Sequence, residues 1–342
     1  MKRKSAWMAI VMVGFLMGGG FLFFPSTLFA QAKTIVWNLP TTAAPTYYHT
    51  LDLKMLADKV KEKSNGRMEI RIHPASSLYP QQEQIPALVD GRVEIGMVGS
   101  GYMVDMFLEN SVLELPFMTS SLEEHHEATK KLRPYFAERL AKHDIQLLAI
   151  GTWPTQQLYT TNKRVTKVED WKGLKIRVYG TDTAEVTRAL GGAPVNITFG
   201  EVYTALQRNV IDGAITSATN AEPMKFFEVA KYINYWYISG GTIEFLSVNK
   251  KALNSLPQDL QQVVLDSVKE SRWEEKEWED AKAWDARAKQ RCTELGMTMV
   301  DVPKAELEKA RKLARPAWDA WLKRTGPEGK HAIELALKAL GR

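Results

Sequence analysis

Cysteine is almost missing: the 342 residues include one, Cys292, so no intramolecular disulfide can form and no thiol pair exists to build a zinc site or redox couple. The fold must hold by its core. A dominant charge is missing too. Forty-five Lys and Arg face 40 Asp and Glu, a formal +5, and Lys2, Arg3 and Lys4 supply three of those charges, leaving +2 on the rest and no nucleic-acid footprint. No P-loop, dinucleotide fingerprint or Gly-x-Ser-x-Gly elbow occurs, so ATPase, oxidoreductase and hydrolase readings have no signature to stand on. What is present, 45% hydrophobic and 25% charged with 22 Gly and 15 Pro, is the composition of a globular protein of one or two domains.

The long apolar run lies at the amino end. Lys2-Arg3-Lys4 precedes an uncharged stretch from Ala6 to Phe24, followed by Pro25-Ser26-Thr27 and the small-residue triplet Ala30-Gln31-Ala32. This order reads as a secretory signal peptide, residues 1–32, cleaved after Ala32 or Ala30. Gly18-Gly19-Gly20 weakens the competing reading of a spanning helix, and no cysteine stands near the cleavage region to carry a lipid. The mature protein is expected in the periplasm of a Gram-negative source.

Beyond Lys33, β-rich runs alternate with helical ones, the pattern of an α/β protein. Thr34 to Trp37, the helix Leu51 to Lys63 and the alternating Met68 to Ile72 make a β-α-β start. Gln81 to Val89 is a helix and Val93 to Val98 a strand. Ser121-x-x-Glu124 is a capping box opening a helix to about Lys142, and Gln146 to Thr152 is a strand. A second set follows: strands near Leu158 to Thr161, Leu174 to Val178, Pro194 to Ile197 and Val210 to Ile215, helices at Thr181 to Leu190 and Glu201 to Arg208, then strands Tyr232 to Ser239 and Ile243 to Asn249 around Gly240-Gly241. From Pro257 to about Leu295 no further Gly or Pro interrupts a charged, Trp-bearing stretch. As one helix, straight or kinked, it would run more than ~50 Å, enough to touch both units.

Certain pieces are less generic. Trp171-Lys172-Gly173-Leu174-Lys175-Ile176-Arg177-Val178, then Gly191-Gly192-Ala193-Pro194, Phe199-Gly200-Glu201-Val202-Tyr203-Thr204-Ala205-Leu206-Gln207 and Val210-Ile211-Asp212-Gly213 closely resemble the DctP-type solute-binding subunits of TRAP (tripartite ATP-independent periplasmic) transporters. Ser64-Asn65-Gly66-Arg67, Pro74 to Leu78 and Leu88 to Gly96 fit as well, in the same order. The resemblance implies an α/β clamshell of two lobes with a long helix spanning both. Lobe I would take residues 33–155 and about 245–285, lobe II residues 156–244 and about 286–342, with the ligand cleft between them. It implies a receptor without enzymatic activity that passes an organic acid to the small and large subunits of a membrane permease. The rival readings are a receptor for an ATP-driven importer, against which the Arg177 motif and the extended helix speak, and a secreted hydrolase.

The family's signature arginine maps onto Arg177. A guanidinium stays charged and grips a carboxylate through two parallel hydrogen bonds, which also orient the ligand. A second basic residue common in the family maps onto Gln157, with Gln156 as the competing register; a neutral amide there favours a monocarboxylate over a dicarboxylate. The polar position after Asp-Gly maps onto Thr216, with Asn220 as a substitute. Aromatic residues at strand ends, Trp153, Tyr159, Phe199, Trp236 and Tyr237, with Tyr47, Tyr48 and Tyr102 in the first lobe, are candidate walls for an aromatic or apolar acid or a small 2-oxo or 2-hydroxy acid. No metal or cofactor is called for, although a cation bridging acid to protein would leave no trace in sequence. Glu123-Glu124-His125-His126-Glu127 has one Glu-x-x-His spacing without a second copy and reads as a solvated helix face.

Overall fold

The computed structural model of the chain describes residues 33–100, 107–197 and 199–342, the side chain of Phe199 excepted. The expected export segment and Tyr102 lie outside the described residues. The chain runs β1 (Ile35–Pro40), α1 (Tyr48–Lys63), β2 (Met68–His73), α2 (Gln81–Val89), β3 (Ile95–Gly99), α3 (Leu122–Ala141) and β4 (Ile145–Trp153). It continues through β5 (Gln156–Thr160), β6 (Lys175–Val178), α4 (Thr181–Ala189), β7 (Ala193–Asn196), α5 (Val202–Gln207), β8 (Gly213–Thr216), α6 (Ala218–Ala221) and β9 (Tyr232–Ser239). It closes with β10 (Thr242–Asn249), α7 (Lys250–Ser255), α8 (Gln258–Glu270), α9 (Trp273–Glu294), β11 (Thr298–Asp301), α10 (Lys304–Leu313) and α11 (Arg315–Ala339). The strand expected from Val210 starts only at Gly213, because Val210 stands half exposed in the preceding turn.

The first lobe holds the parallel pair β1-β2 and the sheet β3-β10-β4, in which β10 runs antiparallel to both neighbours. The second holds a mixed six-stranded sheet ordered β11-β9-β5-β8-β6-β7. The two units are therefore interleaved rather than simply in tandem: the chain crosses between sheets at Pro154-Thr155, from β4 to β5, and returns at Gly240-Gly241, from β9 to β10. A Cβ on Gly240 would stand 2.8 Å from the Ser121 carbonyl oxygen and closer still to Thr119 Oγ1, so only bare backbone fits where the return passes the start of α3.

That start is capped as the sequence predicts on one side only. Ser121 Oγ accepts from the Glu124 backbone N–H at 3.0 Å, but the Glu124 carboxylate reaches Ser120, accepting from its backbone N–H at 2.6 Å and its hydroxyl at 2.7 Å.

The long helix expected after Pro257, straight or kinked, is interrupted at Ser271-Arg272, where Arg272 adopts a left-handed conformation, φ 48°. Such a residue costs roughly 1–2 kcal/mol. Burial of Trp273, completely covered among Leu53, Leu56, Leu260 and Val264, offsets it; a tryptophan removes ~150–250 Å² from water. α9 begins against α1 and β4 in the first lobe and ends with Cys292 in the second-lobe core, beside Tyr159, Phe226 and Ile233, so the helix spans both. α11 departs from the expected division. It places Trp318, Trp321, Ala332, Ile333 and Ala336 in the first-lobe core with Leu132, Phe136 and Phe245, while Arg324 reaches back to Asp182 of α4 at 2.6 Å.

Candidate functional site

Beside the two crossings a cavity of about 310 Å³ opens between the lobes. Thr42, Tyr47, Gln81, Glu114, Trp153 and Thr242 line it from the first lobe; Gln156, Arg177, Tyr179, Thr216, Thr219 and Asn220 line it from the second. Ala44, Pro223 and Met224 complete an apolar rim.

Arg177 reaches the cavity from β6, a strand held between β7 and β8, with Val195 and Ala214 as its partners in register. Alternation alone would give a strand arginine a solvated head, yet its residue exposure is 6%. Its Nε donates to the Ile197 carbonyl and its Nη1 to the Ile215 carbonyl, each at 3.3 Å, and its Cζ stands 5.9 Å from the centre of the Tyr179 ring. These contacts fix the plane of the fork, which is what two-point recognition of a carboxylate needs.

Of the expected residues, the cavity brings together Arg177, Trp153, Thr216 and Asn220, with Tyr47. Gln157 is displaced by its neighbour. It is completely buried and its Oε1 accepts from the Tyr237 backbone N–H at 2.9 Å, while Gln156 lines the cavity and donates from Nε2 to the Pro154 carbonyl. The cause is an irregularity in the β5–β9 pairing, where Gln156 faces Ser239 but Leu158 faces Asn234 and Tyr237 takes φ 48°. Tyr159 belongs to the second-lobe core, its ring 6.1 Å from Phe226. Trp236 is fully buried, its indole N–H donating to the Val165 carbonyl at 2.8 Å, and Tyr237 packs beside Tyr235. Tyr48 lies beneath Tyr47, its hydroxyl donating to the Thr152 carbonyl. Tyr102 and the Phe199 side chain lie outside the described residues. Sequence reasoning missed Glu114, Tyr179, Thr219, Gln81 and Thr42; of these only Thr219, next to Asn220 and three residues from Thr216, carried a signal.

Behind the first-lobe wall sits a buried polar network. Trp153 stacks on Tyr47 with ring centres 4.6 Å apart and donates its indole N–H to Glu244 Oε1 at 2.5 Å. Burial pushes the Glu244 carboxyl up to about 7, the His49 imidazole down to about 4, and the Glu277 carboxyl well above its ordinary value. His49 Nδ1 and Glu277 Oε2 stand 2.5 Å apart in a hydrogen bond, and burial disfavours the charged form of each partner. Lys276 meets Asp52 at 2.8 Å, and burial still lifts the Asp52 carboxyl to about 7. A Cβ on Gly151 would fall 2.6 Å from Glu277 Oε2, so β4 leaves that space for the carboxyl.

The Glu-x-x-His face of α3 is not solvated throughout. His125 is fully buried, its imidazole pushed down to about 3 by burial, and His126 stacks on Trp278 at 4.0 Å. Among the described residues no group of three His, Cys, Asp or Glu side chains is placed to hold a metal ion, and no helix is long and apolar enough to cross a membrane.

Comparison with known proteins converges on one family. Residues 40–325 match the family model DctP, bacterial extracellular solute-binding protein, family 7. The chain is 27% identical over 256 residues to the C4-dicarboxylate-binding periplasmic protein DctP of Rhodobacter capsulatus, spanning 73% of this chain and 75% of that one. It superposes with a TM-score of 0.80 on DctP7 of Bordetella pertussis, an extracytoplasmic solute receptor binding pyroglutamic acid, at 26% identity over 90% of this chain and 100% of that one. A TRAP periplasmic solute-binding protein of Chromohalobacter salexigens, solved with bound D-glucuronate, gives a TM-score of 0.81 at 23% identity over 89% of this chain and 99% of that one, a likeness of fold.

Proposed function

The chain belongs to the bacterial extracellular solute-binding proteins of family 7, the TRAP receptors, and from that premise we propose that it captures a small organic monocarboxylate between its lobes, with Arg177 as the anchor, and delivers it to a membrane permease. Members of the family are receptors for organic acids and not enzymes.

The observation that carries the reading is a buried guanidinium, oriented by two carbonyls, on the wall of a cavity between the lobes. Each hydrogen bond from it to a carboxylate is worth ~1.5–3 kcal/mol. Gln156, Thr216, Thr219 and Asn220 supply neutral polar groups beside it, and Trp153, Tyr47 and Tyr179 supply apolar faces. The charges support one acid per ligand: among the described residues lining the cavity Arg177 is the one cation, and a carboxylate at Glu114 would repel a second acid. The volume, at the lower end of ligand sites, suits a compact acid. Relatives support this breadth and size, with pyroglutamate, D-glucuronate and orotic acid bound in solved receptors, although the Rhodobacter capsulatus relative is named for C4-dicarboxylates.

A thermal-shift screen against a carboxylate library tests the proposal, because a ligand that binds only the folded state raises its melting temperature. Monocarboxylates should stabilise the protein, and calorimetry should find their dicarboxylate counterparts weaker. Stabilisation by amines or neutral sugars alone would remove Arg177 from its role, and equal binding of dicarboxylates would remove the one-acid limit.

A further inference from the structure

We propose that Glu114 is a second ligand contact, and that it selects monocarboxylates carrying a nitrogen-borne N–H at the end remote from the acid. The inference rests on the reading of the cavity as an acid site anchored by Arg177.

Glu114 ends a 3-10 turn, Leu108–Glu114, whose flanking Leu113 and Leu115 are both completely buried, so the backbone that carries it is pinned. Its side chain is half-buried on the cavity wall, in the lobe opposite Arg177, and Ser100 Oγ donates to its Oε1. An ionised carboxylate only accepts hydrogen bonds, whereas the other polar first-lobe groups on the wall, in Thr42, Tyr47, Gln81 and Thr242, can donate as well as accept. A ligand atom facing Glu114 must therefore bring a proton. A keto or ring oxygen there sets lone pair against lone pair, and a second acid sets charge against charge. The two lobes thus offer opposite chemistry to the two ends of one ligand, a donor fork at one end and a pure acceptor at the other. An O–H also brings a proton, but an amide or ammonium nitrogen is a donor only and sets no lone pair of its own against the carboxylate, and Ala44, Trp153, Tyr179, Pro223 and Met224 give the carbons of a ring apolar surface to lie on.

Matched ring acids differing in one atom give the test, by calorimetry on the intact mature chain: 2-oxopiperidine-4-carboxylate against its lactone counterpart, 2-oxooxane-4-carboxylate, and piperidine-4-carboxylate against oxane-4-carboxylate, in all of which the exchanged atom lies across the ring from the acid. The lactam pair probes an amide N–H and the piperidine pair an ammonium. In at least one pair the N–H member should bind about 10- to 100-fold tighter, as expected when a charged acceptor loses its donor. Glu114→Gln, which can donate as well as accept, should shrink that ratio below about threefold while both acids still bind. Equal affinities within both pairs, an unchanged ratio in Glu114→Gln, or binding only by acids without an N–H each overturn the inference while leaving the acid site standing. If no carboxylate of any kind binds, the acid site itself fails and the inference with it.

Discussion

Glu244 has no room for a charge. It lies on β10 at 2% exposure, and burial raises its carboxyl from 4.5 to about 7. The unfolded chain releases that proton near 4.5, so between about 4.5 and 7 the folded state holds more protons and this group's contribution to stability falls as pH rises, levelling off above 7. His49 works the other way: its imidazole, pushed from 6.5 to about 4, contributes stability that is gained as pH rises from 4 to 6.5. Glu244→Gln keeps an acceptor for the Trp153 indole and removes only the acid. Urea denaturation across pH should show the variant gaining on the wild type between pH 5 and 8, by up to about 3 kcal/mol. A difference that does not change with pH would contradict the burial cost. At this scale the sequence was legible where a motif surrounds a residue and illegible where a fold-specific irregularity intervenes. Arg177, inside Gly-Leu-Lys-Ile-Arg, reaches the cavity as the resemblance implies. Gln157 does not, because the disturbed β5–β9 pairing puts Gln156 there, and alternation cannot foresee where a register shifts. Aromatic side chains misled for a plainer reason: Tyr159 near the end of β5 and Trp236 in the middle of β9 both point into cores, and both faces of that sheet are covered.

Helices and strands were easier to read than their ends. The capping signal before α3 locates its start, and the Ser121 hydroxyl accepts from Glu124 N–H as expected. Ser121→Ala should therefore lower global stability by about 1 kcal/mol, seen as a shift in the urea midpoint without a change in slope, and should leave ligand affinity intact. A loss of affinity with unchanged stability would contradict the capping role. A kink in the long helix after Pro257 was allowed for, but its place was not legible because nothing local marks it. The break at Arg272 answers to tertiary packing of Trp273, and no propensity argument weighs that.

At the scale of the whole molecule, the crossings at Pro154-Thr155 and Gly240-Gly241, with α9 and α11, tie two sheets whose facing surfaces enclose the cavity. The Tyr47 hydroxyl donates to Thr219 Oγ1 at 2.6 Å, joining the lobes directly across it. Tyr47→Phe removes that bond while keeping the ring stacked on Trp153. Affinity for the best acid should fall about 2- to 10-fold, and small-angle scattering of the ligand-free variant should show a larger radius of gyration than the wild type. Unchanged scattering and affinity would mean that the bond does not help hold the lobes together.

Above all of these stands the claim that one oriented guanidinium takes the acid. Titration calorimetry of wild type and Arg177→Ala with the same monocarboxylate measures it directly. The wild type should bind with one site, and the variant should lose at least about 100-fold in affinity with an unaltered circular dichroism spectrum. A folded variant that binds the acid as tightly as the wild type would contradict the account.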